Sequence, residues 1–207
     1  MRFVLLVLLV AGCQDNIHTE FPDGLMPFED NPIAAQPDGP FDETLRTAST
    51  NNDYIHVYAR GFVQVPPEMM WTVAKDPAPN ASVCKTDEQQ ITPGNEPQYE
   101  FSFLIHYIVN NVVTVEWDDQ WRFGWIDDGS EQLGMIRHQK VQGSDFITLS
   151  EGTIQVWPTS DPGVAELQFV EHLDAVRAST TDVLQGVQHN YDALVAVAHG
   201  NPLPPCP

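Results

Sequence analysis

The sequence predicts an α+β chain in which a curved antiparallel sheet of six to seven strands wraps around one long C-terminal helix. Two patterns and one length argument carry this reading. In Thr180–His199, the residues Val183, Leu184, Val187, Tyr191, Leu194, Val195 and Ala198 fall on one arc about 120° wide when plotted at 100° per residue. Upstream, from Tyr54 to Ala175, apolar residues recur with a period of two in short runs separated by turn residues. A twenty-residue helix is about 30 Å long. An apolar stripe of that length needs a surface to cover it, and the preceding hundred residues offer mainly strands.

The elements follow in chain order. Tyr54–Val65 alternates, with Ile55, Val57, Ala59, Gly61 and Val63 on one side and His56, Tyr58, Arg60 and Phe62 on the other. Pro66-Pro67 ends that strand and starts a short helix, Pro67 to Lys75, which Pro77 and Pro79 stop. Asn80 to Pro97 reads as a long polar loop holding Cys84. Strands are expected at Glu100–Val109 and Val112–Trp125, joined near Asn110-Asn111. In the second, Val113, Val115, Trp117, Asp119, Trp121, Phe123 and Trp125 share a face. After an Asp127–Ser130 turn come Leu133–Val141 and Phe146–Trp157, with a bulge expected at Glu151-Gly152. Val164–Ala175 follows, with Ala165, Leu167, Phe169, Glu171 and Leu173 on one side. The last helix starts at a capping box (Ser179 or Thr180 with Asp182) and stops at Gly200-Asn201-Pro202.

A content of 42% hydrophobic residues suffices for one core, and the net charge of −20 argues against nucleic acid as a partner. Residues 14–53 read as a tether. The segment holds Pro22, Pro27, Pro32, Pro37 and Pro40, many acids and one basic residue, Arg46, with no apolar period.

The N-terminus carries one Arg and an apolar run from Phe3 to Val10, too short to span a bilayer as a helix. The run ends in Leu9-Val10-Ala11-Gly12-Cys13, which resembles the lipobox of bacterial lipoproteins. That resemblance implies a signal peptide over residues 1–12, a diacylglycerated Cys13, and a mature chain tethered to a membrane of the bacterial cell envelope on its periplasmic or outer side. Gln14 after the cysteine resembles an outer-membrane address. Export to an oxidising compartment leaves Cys84 and Cys206 as a pair, and a disulfide between them is expected.

The order of strand, short helix, antiparallel meander and long helix is that of a helix-grip layout. The segment Val63-Gln64-Val65-Pro66-Pro67-Glu68-Met69-Met70-Trp71, closing with Asp76-Pro77, resembles the opening of START-like (SRPBCC) domains. Gly143–Ile147, Glu151–Ile154 and Val170–Leu173 resemble later strands of that superfamily. The likeness covers residues 54–200 and leaves 201–207 as a tail. It implies a hydrophobic small molecule or lipid held between the concave sheet and the C-terminal helix. The expected lining is Trp117, Asp119, Trp121, Phe123, Trp125, Phe169, Glu171 and Tyr191. The two acids would orient a polar group of the ligand, or simply lie in water at strand ends.

No nucleophile elbow, phosphate loop, dinucleotide fingerprint or metalloprotease motif is present, so no catalytic residue, cofactor or metal site is assigned. His56, His106, His138 and His172 lie on strands without ligand spacing, and His189 and His199 fall on the polar side of the helix. The acids Asp118, Asp119, Asp127, Asp128 and Glu131 read as a solvated hairpin end rather than a calcium loop. The reading is therefore a membrane-anchored binding or carrier protein. A cyclase- or hydrolase-like enzyme and a protein-interaction module of the envelope are the alternatives.

Overall fold

The computed structural model describes residues 16–127 and 132–206. Cys13 and the expected signal peptide over residues 1–12 lie outside the described residues, as do Asp128 and Glu131. The described part is α+β, with strands β1 (Asn16–His18), β2 (Leu45–Asn51), β3 (Ile55–Val63), β4 (Glu88–Pro93), β5 (Phe101–Val109), β6 (Val115–Asp127), β7 (Gln132–Ser144), β8 (Ile147–Pro158) and β9 (Ala165–Ala175), and helices α1 (Pro67–Ala74), α2 (Pro77–Asn80) and α3 (Thr180–Ala198). The strands form one antiparallel sheet in the order β2-β3-β9-β8-β7-β6-β5-β4, and β1 pairs with the end of β7.

Helix α3 lies along the concave face. Ser179 caps it, its hydroxyl accepting from the Asp182 amide. Val187, Tyr191, Leu194 and Ala198 are buried, as the periodicity predicts. His189 is buried too, contrary to the amphipathic reading. Its Nε2 lies 2.9 Å from Ser82 Oγ, because α2 and the Cys84 loop cover a second side of the helix. Cys84 and Cys206 are bonded, with their Cα atoms 5.5 Å apart.

The six expected core strands are all present, and three more join them. Strands β2 and β4 extend the two edges of the sheet, and both are largely exposed. Their sequences carry no apolar alternation. An open edge offers free backbone donors and acceptors, and pairing there needs no side-chain pattern. Helix α2 also forms where two prolines were expected to end helical structure. Pro77 takes the first helical position, where no amide is needed, and the Asp76 carboxylate accepts from the Ala78 amide. The first residues of the expected second hairpin strand, Val112 and Val113, are exposed in the loop before β6. The expected bulge at Glu151-Gly152 is absent, and the register instead shifts at Asp118/Asp119 and at Ile147/Leu149.

The largest departure concerns residues 16–53, expected as a tether. Residues 19–44 run as a strap across the convex face. Phe41 packs on Phe62, Leu25 is buried against Gly124, and the guanidinium groups of Arg122 and Arg137 sit over the rings of Phe21 and Phe28 at 3.9 and 4.1 Å. The Asn31 amide donates to the Ala59 carbonyl at 2.8 Å. Phe21, Leu25, Phe28 and Phe41 are isolated apolar anchors spaced without period, so composition alone reads as a linker. The strap also explains why Tyr58, Arg60 and Phe62, on the expected outer face of β3, are buried. Arg60 is paired there with Glu166.

Candidate functional site

The curvature of the sheet and the span of α3 leave a cavity of about 460 Å³ between them. Its wall on one side is Tyr107, Trp117 and Trp121 from β5 and β6. The opposite wall is Phe169 and Leu173 from β9, and Val183 and Val187 of α3 with the Cys84 loop close the mouth. Tyr107 and Trp117 stack at 5.0 Å, which gives that wall a flat aromatic surface.

The polar part of the cavity is set by cross-strand register. Phe103, Trp121, His138, Gly152, Glu171 and Val57 are successive lateral partners across β5, β6, β7, β8, β9 and β3. His138 stacks on the Trp121 indole at 4.2 Å and 11°. Its Nε2 lies 3.1 Å from Glu171 Oε1, and its Nδ1 lies 3.3 Å from Asp119 Oδ2. Trp121 Nε1 donates to the same Asp119 oxygen at 3.1 Å. One strand, β8, separates His138 from Glu171 in register, and they meet because its residue in that row, Gly152, has no side chain. A Cβ at Gly152 would fall 2.4 Å from both Glu171 carboxylate oxygens and from His138 Nε2. Gly152→Ala should therefore destabilise the chain by about 1–3 kcal/mol, the usual range for overpacking. Denaturant unfolding checks this, and an unchanged midpoint would refute it.

Burial opposes a charge on His138, but the carboxylates of Glu171 and Asp119 outweigh it and hold the imidazole proton up to about 10. The trio at neutral pH is thus an imidazolium between two carboxylates. Three buried atoms here make no hydrogen bond among the described residues: Asp119 Oδ1, the Tyr107 hydroxyl, and His138 Nδ1, which meets Asp119 only as an ion pair. Burial and the nearby Asp119 raise the Tyr107 pKa well above its ordinary value, so the phenol keeps its proton. An acceptor and a hydroxyl, left open in an aromatic cavity, are what a ligand polar group would complete.

The expected lining residues divide into two groups. Trp117, Asp119, Trp121, Phe169 and Glu171 line the cavity. Phe123 lies behind it, packed on Trp71, Phe101 and Phe103. Trp125 sits farther along the strand, partly exposed, with Trp71 at 4.9 Å. Tyr191 is spent on structure: its hydroxyl donates to the Phe62 carbonyl at 2.6 Å and its ring edge occupies the space that Gly61 leaves open. The expected acidic cluster is also split. Asp118 faces outward beside His106 at 2.6 Å, whereas Asp119 points inward.

No family model matches the sequence, and no curated protein matches it significantly. Solved structures do match. The STAR-related lipid transfer protein from Xanthomonas axonopodis covers 86% of this chain and 99% of its own at 12% identity, with a TM-score of 0.55. The human StarD13 lipid transfer and protein localization domain covers 77% and 86% at 10% identity, TM-score 0.52. A START superfamily protein from Mycobacterium smegmatis covers 70% and 97% at 14% identity, TM-score 0.50. The chain has the START-like, helix-grip fold. The Val63–Pro77 segment spans the end of β3, all of α1 and the cap of α2. It marks the fold rather than the cavity.

The sequence reading missed His138, Tyr107 and Gly152. The face of β7 that holds Ile136 also holds His138, so inward placement was readable from alternation. Its two carboxylate partners were not, because they depend on register across four strands.

Proposed function

We propose that the chain is a membrane-anchored, extracytoplasmic binding or carrier protein for one hydrophobic molecule whose head group donates hydrogen bonds or carries positive charge. The supporting observation is the aromatic cavity under α3 with a buried, unpartnered Asp119 oxygen in a trio that bears two carboxylates against one imidazolium. Its volume falls in the ~300–1,000 Å³ range of small-molecule sites. The proposed anchor rests on the resemblance of Leu9–Cys13 to a lipobox.

An enzyme of the cyclase or hydrolase kind would use the same trio. General acid–base work is most efficient when the group titrates near the operating pH. His138, held at about 10, keeps its proton at neutral pH, which favours recognition over proton transfer.

The test is tryptophan quenching of the full chain by single-chain amphiphiles that differ only in head group, namely dodecylamine, dodecanol and dodecanoate. Trp117 and Trp121 report occupancy directly. The amine and the alcohol should bind at least tenfold more tightly than the carboxylate, and Asp119→Asn should abolish the amine's advantage. Equal binding of all three, or none, would overturn the reading. The strap must be kept, because a chain begun at Tyr54 lacks β1, β2 and the cover of the convex face.

A further inference from the structure

The face of the sheet away from the cavity gathers a second set of histidines. His56 on β3 and His172 on β9 are direct cross-strand partners, and Glu151 on β8 is the next partner of His172 in that row. Glu29 reaches the row from the strap. Its Oε1 lies 2.8 Å from His56 Nδ1 and 2.8 Å from His172 Nε2, and it accepts from the Tyr58 hydroxyl at 2.8 Å. Two imidazole nitrogens and a carboxylate oxygen thus converge, all within 4.8 Å of one another.

We propose that Glu29, His56 and His172 form a site for a divalent transition-metal ion of the zinc class, which clasps the N-terminal strap to the sheet. Two nitrogen ligands and one carboxylate suit zinc and disfavour calcium or magnesium, which take oxygen. The surroundings are those of a supported ligand set. His172 Nδ1 lies 2.9 Å from Glu151 Oε1, the carboxylate–histidine arrangement that directs the other ring nitrogen at a metal. The Tyr54 ring stacks on His56 at 4.3 Å, and His56 meets His172 edge-on at 4.6 Å, so both imidazoles are held in place. The Tyr58 oxygen, 3.5 Å from His56 Nδ1, stands beside a fourth position.

Metal bonds of about 2.0–2.1 Å in a tetrahedron separate neighbouring ligand atoms by about 3.3 Å. The 2.8 Å contacts to Glu29 must therefore open by about half an ångström, a small side-chain rotation. The Glu29 side chain is 35% exposed while that of His172 is 4% exposed, so an ion can enter from the strap side and reach an anchored ligand. Because Glu29 lies on the strap and the two histidines on the sheet, the ion would join segments far apart in sequence.

Equilibrium dialysis of the untagged, chelator-stripped full chain against Zn²⁺ tests this. One equivalent should bind, and His56→Gln, His172→Gln and Glu29→Gln should each weaken binding at least tenfold. His106→Gln, on the same outward face but four strands away from β9 on β5, should leave it unchanged. Glu29→Gln alters only the strap residue and keeps the test meaningful should a histidine variant fail to fold. Zn²⁺ should also slow proteolysis within residues 19–44 in the native chain and not in Glu29→Gln. Failure to bind zinc, or zinc binding that survives all three substitutions, would overturn the proposal.

Discussion

Replacing His138 with alanine should destabilise the chain by about 3–5 kcal/mol at neutral pH, the usual cost of removing one partner from a buried ionic group. The substitution leaves Asp119 and Glu171 with no cation between them on the cavity side of the sheet. The pH dependence gives the sharper test. The folded-state pKa of His138 is raised to about 10 from an ordinary 6.5. A group raised in this way contributes fully below its unfolded pKa and loses that contribution as pH rises through its folded value. The stability gap between the native chain and His138→Ala should therefore be large at pH 6 and shrink steadily towards pH 10. Denaturant unfolding of both chains across that window measures it. A gap that is small at pH 6, or constant with pH, would mean that the imidazole is not charged in the fold. Glu171→Gln offers a second check, since it should bring the titration of His138 down, as followed by NMR.

Removing the disulfide with Cys84→Ser and Cys206→Ser should cost roughly 3–5 kcal/mol in the chain-entropy model, given the 122-residue separation of the two cysteines. A functional loss should accompany it. The loop holding Ser82, Val83 and Cys84 forms part of the cavity mouth, and the bond ties that loop to the tail beyond α3. Without the bond the same loop is still held to α3 by side-chain contacts such as Ser82 with His189 and Lys85 with Asp182, which do not reach the tail. Release of a bound amphiphile should then be markedly faster, while the on-rate changes little. Stopped-flow tryptophan fluorescence separates the two. Unchanged release in a folded double variant would show that the loop is held closed without the bond.

The cavity walls were partly legible in advance because they obey simple periods. Trp117, Asp119 and Trp121 stand two apart on β6, and Phe169 and Glu171 stand two apart on β9, so alternation assigns each set to one face. The same logic overreached for Phe123 and Trp125. A long strand crosses more than one environment, and its later inward residues pack under α1 rather than under α3. Tyr191 was assigned to the correct face of α3, but its height along the helix places it against Gly61 and Phe62.

By itself the sequence determined which six strands and which long helix form the frame, which helix stripe is buried, and that Cys84 pairs with Cys206. These follow from local period, caps, turn residues and the count of available thiols. Tertiary structure alone decided three things. It turned the proline-rich segment into a strap, because four scattered apolar anchors meet complementary surface on the sheet. It added β1, β2 and β4, because open backbone edges pair without any side-chain code. And it aligned His138 with Glu171 across Gly152, and His56 with His172, because a period of two says which face a residue takes while only turns, bulges and strand order say what lies opposite it.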